Sequence, residues 1–364
     1  MNISRIMITA ALAVLSFSAA AQTDAHKAAA EAAKALTEAP KVEEKVEKPS
    51  YWKESLMTNI NFGQTSLTNW AAGGDNTVSL TAYVDANANY AKNQQYWNNR
   101  LQLDYGFLYA SSKPIIQKSS DRIYLESKWG LKIPNAKSLS FTVKYDFRSQ
   151  FTKGYNYLTP KLPDGLPEGT KLDDLPNKQL TQLWKDARQV KSGLLAPAYT
   201  NLAVGIDVIP TKWLTLNIAP VTGSVVIVRD AELRKNYGMA LHKDWEGKTE
   251  NVPTDGSQYR SARFELGAQL TADFKVKVNN NFSYTSQLKL FSNYLDKPLN
   301  MRVNWDNRFD WKLAKYFSLT LTTNLIYDDT ILIVTEKYPE GKKGVVQFKE
   351  SVAFGFTYTI ANKK

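Results

Sequence analysis

The chain has 364 residues, two histidines, no cysteine and a formal net charge of +11. The lack of cysteine excludes disulfides, thiolate nucleophiles and cysteine-held zinc. A basic excess of this size would favour nucleic-acid binding in a protein that stays in the cytoplasm, but a secretory leader argues against nucleic acid and leaves lipid phosphates or anionic solutes as partners.

That leader is the first element. Met1 to Arg5 is a short basic start, Ile6–Ala20 is apolar except for Thr9, Ser16 and Ser18, and Ala19-Ala20-Ala21 supplies small residues before Gln22. Residues 1–21 therefore read as a signal peptide cleaved after Ala21. No cysteine follows, so lipid attachment there is excluded. Residues 22–50 read as a periplasmic tether. Asp24–Ala39 is Ala-rich with high helix propensity, but Leu36 is its only large apolar residue, and Pro40 gives way to a charged linker ending at Ser50. A helix that enters a barrel lumen is the alternative for this segment.

From Tyr51 onward the pattern changes to a period of two. In Met301–Leu313 every odd residue except Asn307 is apolar and every even one is polar or charged. Alternate side chains of a strand point to opposite faces, so one face suits hydrocarbon and the other water. Strands are expected near residues 55–66, 77–91, 98–111, 121–133, 139–152, 199–210, 213–228, 260–277, 281–294, 300–314, 317–328 and 345–361. No stretch after the leader reaches the roughly 18 apolar residues of a spanning helix. The odd-numbered connections are the longer ones: residues 67–76, 112–120, 153–198, 229–259, 295–299 and 329–344. The even-numbered ones, such as Pro210-Thr211-Lys212 and Asn279-Asn280, are tight. Bacterial outer-membrane barrels show this parity, with long loops outside and short turns in the periplasm. Residues 51–364 are thus expected to form an all-β, antiparallel up-and-down transmembrane β-barrel of about twelve strands, a monomer in outer-membrane lipid.

Aromatic residues gather at membrane interfaces. Trp52, Trp97, Trp213, Trp311 and Tyr316 all lie beside the start of the barrel or a short turn, as a periplasmic girdle should. The last strand carries Phe354, Phe356 and Tyr358 on one face, which looks like the signal read by the outer-membrane assembly machinery. It departs from such signals in continuing to Lys364 instead of ending on an aromatic residue.

Several phrases resemble a family of Bacteroidetes outer-membrane proteins of unknown function, domain of unknown function 3078. They are Ser66–Asn76 (SLTNWAAGGDN), Leu194–Asp207, Ala219–Gly223, Leu290–Pro298 and Asn324–Asp329. The resemblance implies a barrel in the outer membrane and carries no activity, ligand or functional residue.

The chemistry-bearing residues are sparse. His26 lies in the tether and His242 in a long loop, and neither has a strand register that would hold it beside a serine, so no catalytic residue, metal site or cofactor is expected. Asp328-Asp329 and Asp75-Asn76 read as turn formers, and Ala71–Asp75 as a tight glycine loop. The lumen face is the informative one. Arg302, Asp306, Arg308, Asp310 and Lys312 stack on one strand face, and Arg263 and Glu265 on another strand are expected to join them. Basic residues outnumber acidic ones on the faces assigned to the lumen, and rings of Lys and Arg select anions. Three functions stay open: a narrow passive channel for small anionic solutes, a non-transporting scaffold that binds a protein partner through its long loops, and an outer-membrane lipid hydrolase.

Overall fold

The computed structural model describes residues 51–65, 76–335 and 338–362. The leader, the tether and the Ala71–Asp75 loop lie outside the described residues. The period-two segments form long antiparallel strands: β1 (Trp52–Thr65), β2 (Thr77–Lys92), β3 (Gln95–Ala110), β4 (Lys113–Lys132) and β5 (Leu139–Ser149). Two short strands, β6 (Gly154–Tyr157) and β7 (Arg188–Ser192), pair only with each other in the excursion before β8 (Ala198–Thr211). Then come β9 (Leu214–Ile227), β10 (Ala262–Lys277), β11 (Phe282–Asn293), β12 (Met301–Lys312) and β13 (Phe317–Tyr327). A second small hairpin, β14 (Ile333–Thr335) with β15 (Tyr338–Lys342), precedes the last strand, β16 (Gln347–Ala361).

Twelve of these strands close into a barrel in the ring order β1-β16-β13-β12-β11-β10-β9-β8-β5-β4-β3-β2. Each expected strand is present. The ring is fastened where β1 meets β16 over seven pairs, Ser55–Asn61 against Ala361–Gly355, whereas β1 pairs with β2 along its whole length, from Trp52 to Thr65. Asn362 then clasps the seam: its side-chain oxygen accepts from the Glu54 amide at 2.9 Å, and its Nδ2 donates to the Trp52 carbonyl at 3.3 Å. The tail beyond the aromatic residues thus has a structural role.

Alternation sorts the faces sharply. Leu202 is 52% exposed on the outside, while the next residue, Ala203, is 1% exposed within. Ile60, Phe62, Phe141, Ile206, Ile218, Phe264, Val352 and Phe354 continue the apolar exterior. Gly205 sits at a bulge where a Cβ would come within 2.2 Å of the Ile218 carbonyl oxygen, so only glycine lets β8 approach β9 this closely. No helix among the described residues is long and apolar enough to cross a membrane.

One expected loop is not a loop. Residues 113–120 belong to β4, which pairs back onto β3 as far as Ala110↔Lys113. The polar run and Pro114 mislead. Pro114 falls in the register shift between Tyr109 and Ala110, where a missing ladder donor costs little. This β3–β4 hairpin supports α1 (Asn177–Asp186). Ile115 of β4 is buried against Leu175, Leu180 and Trp184, so the Pro- and Lys-rich excursion between β5 and β8 packs as a small folded unit. A second core joins Val226 and Ala196 at the barrel rim to Leu233 of α2 (Ala231–Arg234) and Met239, with Tyr199 and Tyr237 against it. Together these form a cap at the long-loop end.

Candidate functional site

The inward face of the barrel is charged, and nearly every charge meets a partner. On one wall Lys144, 1% exposed, pairs with Glu126 at 2.9 Å, and the Tyr124 hydroxyl donates to the same carboxylate at 2.6 Å. Next to it the Asp207 carboxylate accepts from Lys128 at 2.7 Å, the Tyr96 hydroxyl at 2.8 Å and the Asn217 amide at 2.7 Å. Several contacts cross the lumen. Lys289 of β11 reaches Asp146 of β5 at 2.7 Å, and Lys349 of β16 reaches the Ser119 carbonyl of β4 at 3.4 Å. Arg122 of β4 meets Asp306 of β12 at 3.4 Å. In the ring order β4 and β12 lie opposite each other, so this contact spans the barrel. Buried charges persist only when paired and hydrogen-bonded, and this wall satisfies both conditions.

The expected lumen residues are placed inward but split into two groups. At the long-loop end Glu265 binds Arg263 at 2.9 Å and also Arg302, and Arg302 lies 3.8 Å from Asp328. This group holds the cap: Arg263 donates to the Gly238 carbonyl at 2.7 Å, and Asp328 accepts from the Thr330 amide and hydroxyl at 2.9 and 2.6 Å. Gly238 has φ +67°, and a Cβ there would meet the Thr330 carbonyl at 2.7 Å, so the turn over the mouth requires glycine. Deeper in, Arg308 pairs with Asp310 at 2.8 Å and lies over the Tyr83 ring. Lys312 is exposed at the short-turn end and joins neither group.

Sequence reasoning missed Asp85, Arg100 and Arg122. Asp85 binds Arg100 at 2.5 Å and accepts from Gln102 at 3.1 Å and the Tyr83 hydroxyl at 3.0 Å. Strand β2 reads Ala-Asn-Ala-Asn around its middle, and this gives little contrast between faces. Arg122 did carry a signal, since it shares parity with Glu126 and Lys128 on β4.

The aromatic residues line the short-turn end. Trp52 and Trp97 lie 6.0 Å apart, Trp213 packs on Phe274 at 5.2 Å, and Trp311 is half exposed. Phe354, Phe356 and Tyr358 face outward, with Phe354 stacked on Phe317 at 5.9 Å and Phe356 on Tyr316 at 5.5 Å. His242 is exposed in the loop after β9, and its backbone amide bonds to the Gln258 carbonyl. Among the described residues no group of three or more His, Asp or Glu side chains could hold a metal ion.

Comparison with known proteins adds the following. The translocator domain of the autotransporter NalP from Neisseria meningitidis is 9% identical with a TM-score of 0.32, over 86% of this chain and 90% of that one. The beta domain of the Bordetella autotransporter Brka is 8% identical with a TM-score of 0.27, over 85% and 98%. The outer membrane channel DcaP of Acinetobacter baumannii is 7% identical with a TM-score of 0.29, over 85% and 96%. Likeness at this level carries no functional argument. No curated protein matches the chain. The profile of a family described as "Protein of unknown function (DUF3078)" matches residues 62–155, and this is the family that the phrases of the sequence resemble.

Proposed function

We propose that the protein is a monomeric outer-membrane β-barrel whose lumen is closed by its own side chains and whose folded cap binds a protein partner at the cell surface. The contact of Arg122 with Asp306 carries this reading, because it joins opposite walls of the ring. The largely buried, internally paired wall of Lys144, Glu126, Lys128 and Asp207 supports it, as does the cap bolted to Arg263. The outer-membrane location is supported by the apolar exterior, the aromatic row at the short-turn end and the position of both barrel ends there. The row Phe354, Phe356 and Tyr358 is the surface for the assembly machinery. The barrel does no enzymatic chemistry in this reading.

Planar-bilayer recording of the folded, heat-modifiable protein tests it. A closed barrel gives no stable conductance steps across salt and voltage. Steady anion-selective steps in the wild type refute closure. They establish instead the second reading, a narrow channel for small anionic solutes, which the surplus of inward arginines favours.

A further inference from the structure

Arg148 is the inward charge that the pairing leaves over. It lies on the same face of β5 as Thr142, Lys144 and Asp146, and it is partly buried. Among the described residues it makes neither an ion pair within 4.0 Å nor a hydrogen bond. Its surroundings are cationic and aromatic: it stands between Tyr124 of β4 and Tyr199 of β8, and Arg122 shares the inward face of β4 with Tyr124. Tyr124 is its cross-strand neighbour, and the Arg122 guanidinium lies 5.0 Å from that ring. Asp306 is already shared, since its other oxygen accepts from Asn324 at 2.6 Å.

Beside it one further donor is buried without an acceptor among the described residues, Arg122 Nε. A solvated side chain would account for Arg148 alone. It does not account for a guanidinium nitrogen of Arg122 shut off from water on the adjacent strand. A guanidinium fork matches the oxygens of a phosphate or carboxylate in pairs, and β4 and β5 bring two such forks to neighbouring inward positions. Solvent reaches this region, since the Arg122 and Asp306 side chains are 29% and 25% exposed.

We infer that Arg122 and Arg148 form a lumenal binding site for a small oxyanion of phosphate size. Asp306 fixes Arg122 in place and limits the site to one such ligand. The site stands apart from conduction, because an anion held without release at the far end gives binding and no current.

The test is titration of the refolded, full-length barrel in detergent micelles with inorganic phosphate at constant ionic strength, read by calorimetry and by the unfolding temperature. Wild type should show saturable binding. Arg148→Gln should weaken it by about tenfold or more, as expected for loss of a charged hydrogen-bonding partner. Lys312→Gln, at the exposed end of β12, should bind as wild type does. Heat-modifiable migration reports folding of each variant. If Arg148→Gln does not fold, Arg148→Lys replaces it, and loss of the fork should weaken binding with the charge retained. Absence of saturable binding in wild type overturns the site. So does binding by the folded Arg148 variant that equals wild type.

Discussion

Asp207 offers the sharpest test of the closed wall. Its carboxylate is 1% exposed and receives three donors, from Lys128, Tyr96 and Asn217. Asp207→Ala leaves the Lys128 ammonium, only 10% exposed, without its counter-charge. Removing one partner of a buried pair costs about 3–5 kcal/mol. That lowers the folding equilibrium constant by roughly two to four orders of magnitude. Replacing both members with apolar groups of similar volume is close to neutral in such cases, so adding Lys128→Met should restore most of the loss. Reversible urea unfolding in lipid vesicles, followed by tryptophan fluorescence, measures both. If Asp207→Ala costs under about 1 kcal/mol, the wall is wetter than its burial indicates. If the double variant is as unstable as the single one, the cost does not lie in the stranded lysine.

Two further outcomes are expected. Leu202→Arg places a cation on the exposed apolar exterior and should cost about 2–4 kcal/mol in vesicles if that face meets lipid near mid-depth. The same unfolding assay reads it, and a negligible cost there would contradict a membrane-facing exterior. In the cap, partial desolvation of an otherwise exposed side chain, and then the neighbouring cations Lys118 and Lys349, hold the Lys191 ammonium below the usual lysine range. The unfolded chain then binds the extra proton, so stability of the cap should rise as pH climbs toward 10.5. Hydrogen exchange of β6 and β7 at rising pH, corrected for intrinsic rates, should show this gain in wild type and lose it in Lys191→Gln. A gain that persists in the variant would locate the titration elsewhere.

Much of the architecture was legible because lipid and water impose opposite demands on adjacent residues. In β12, Met301–Lys312, the contrast is almost complete, and both its position and its inward face follow from the sequence. Legibility failed where that contrast faded. Lys113–Ser120 sets Ile115 and Ile116 side by side instead of alternating, because this end of β4 lies beyond its pairing with β5 and turns Ile115 into the cap. The inward charges could be listed by parity, but not paired. The partners of Lys289 and Arg122 lie across the lumen, and that of Tyr96 lies three strands along the wall; a period of two says nothing about either. The cap cores around Trp184 and Met239 draw single residues from several loops, leaving no periodic trace.

The short fastening between β1 and β16 bears on how the molecule comes into being. Thr58 and Tyr358 meet there across a sequence separation of 300, while every other barrel joint links strands that follow one another along the barrel chain. The entropy of closing a loop grows with its length, so eleven joints can form while the twelfth still waits. Until then the polypeptide is a curved ribbon with two sticky borders, and in that state it is most prone to pair with a stranger. The final seven pairs and the Asn362 clasp end that interval, and with it the protein's exposure to other chains.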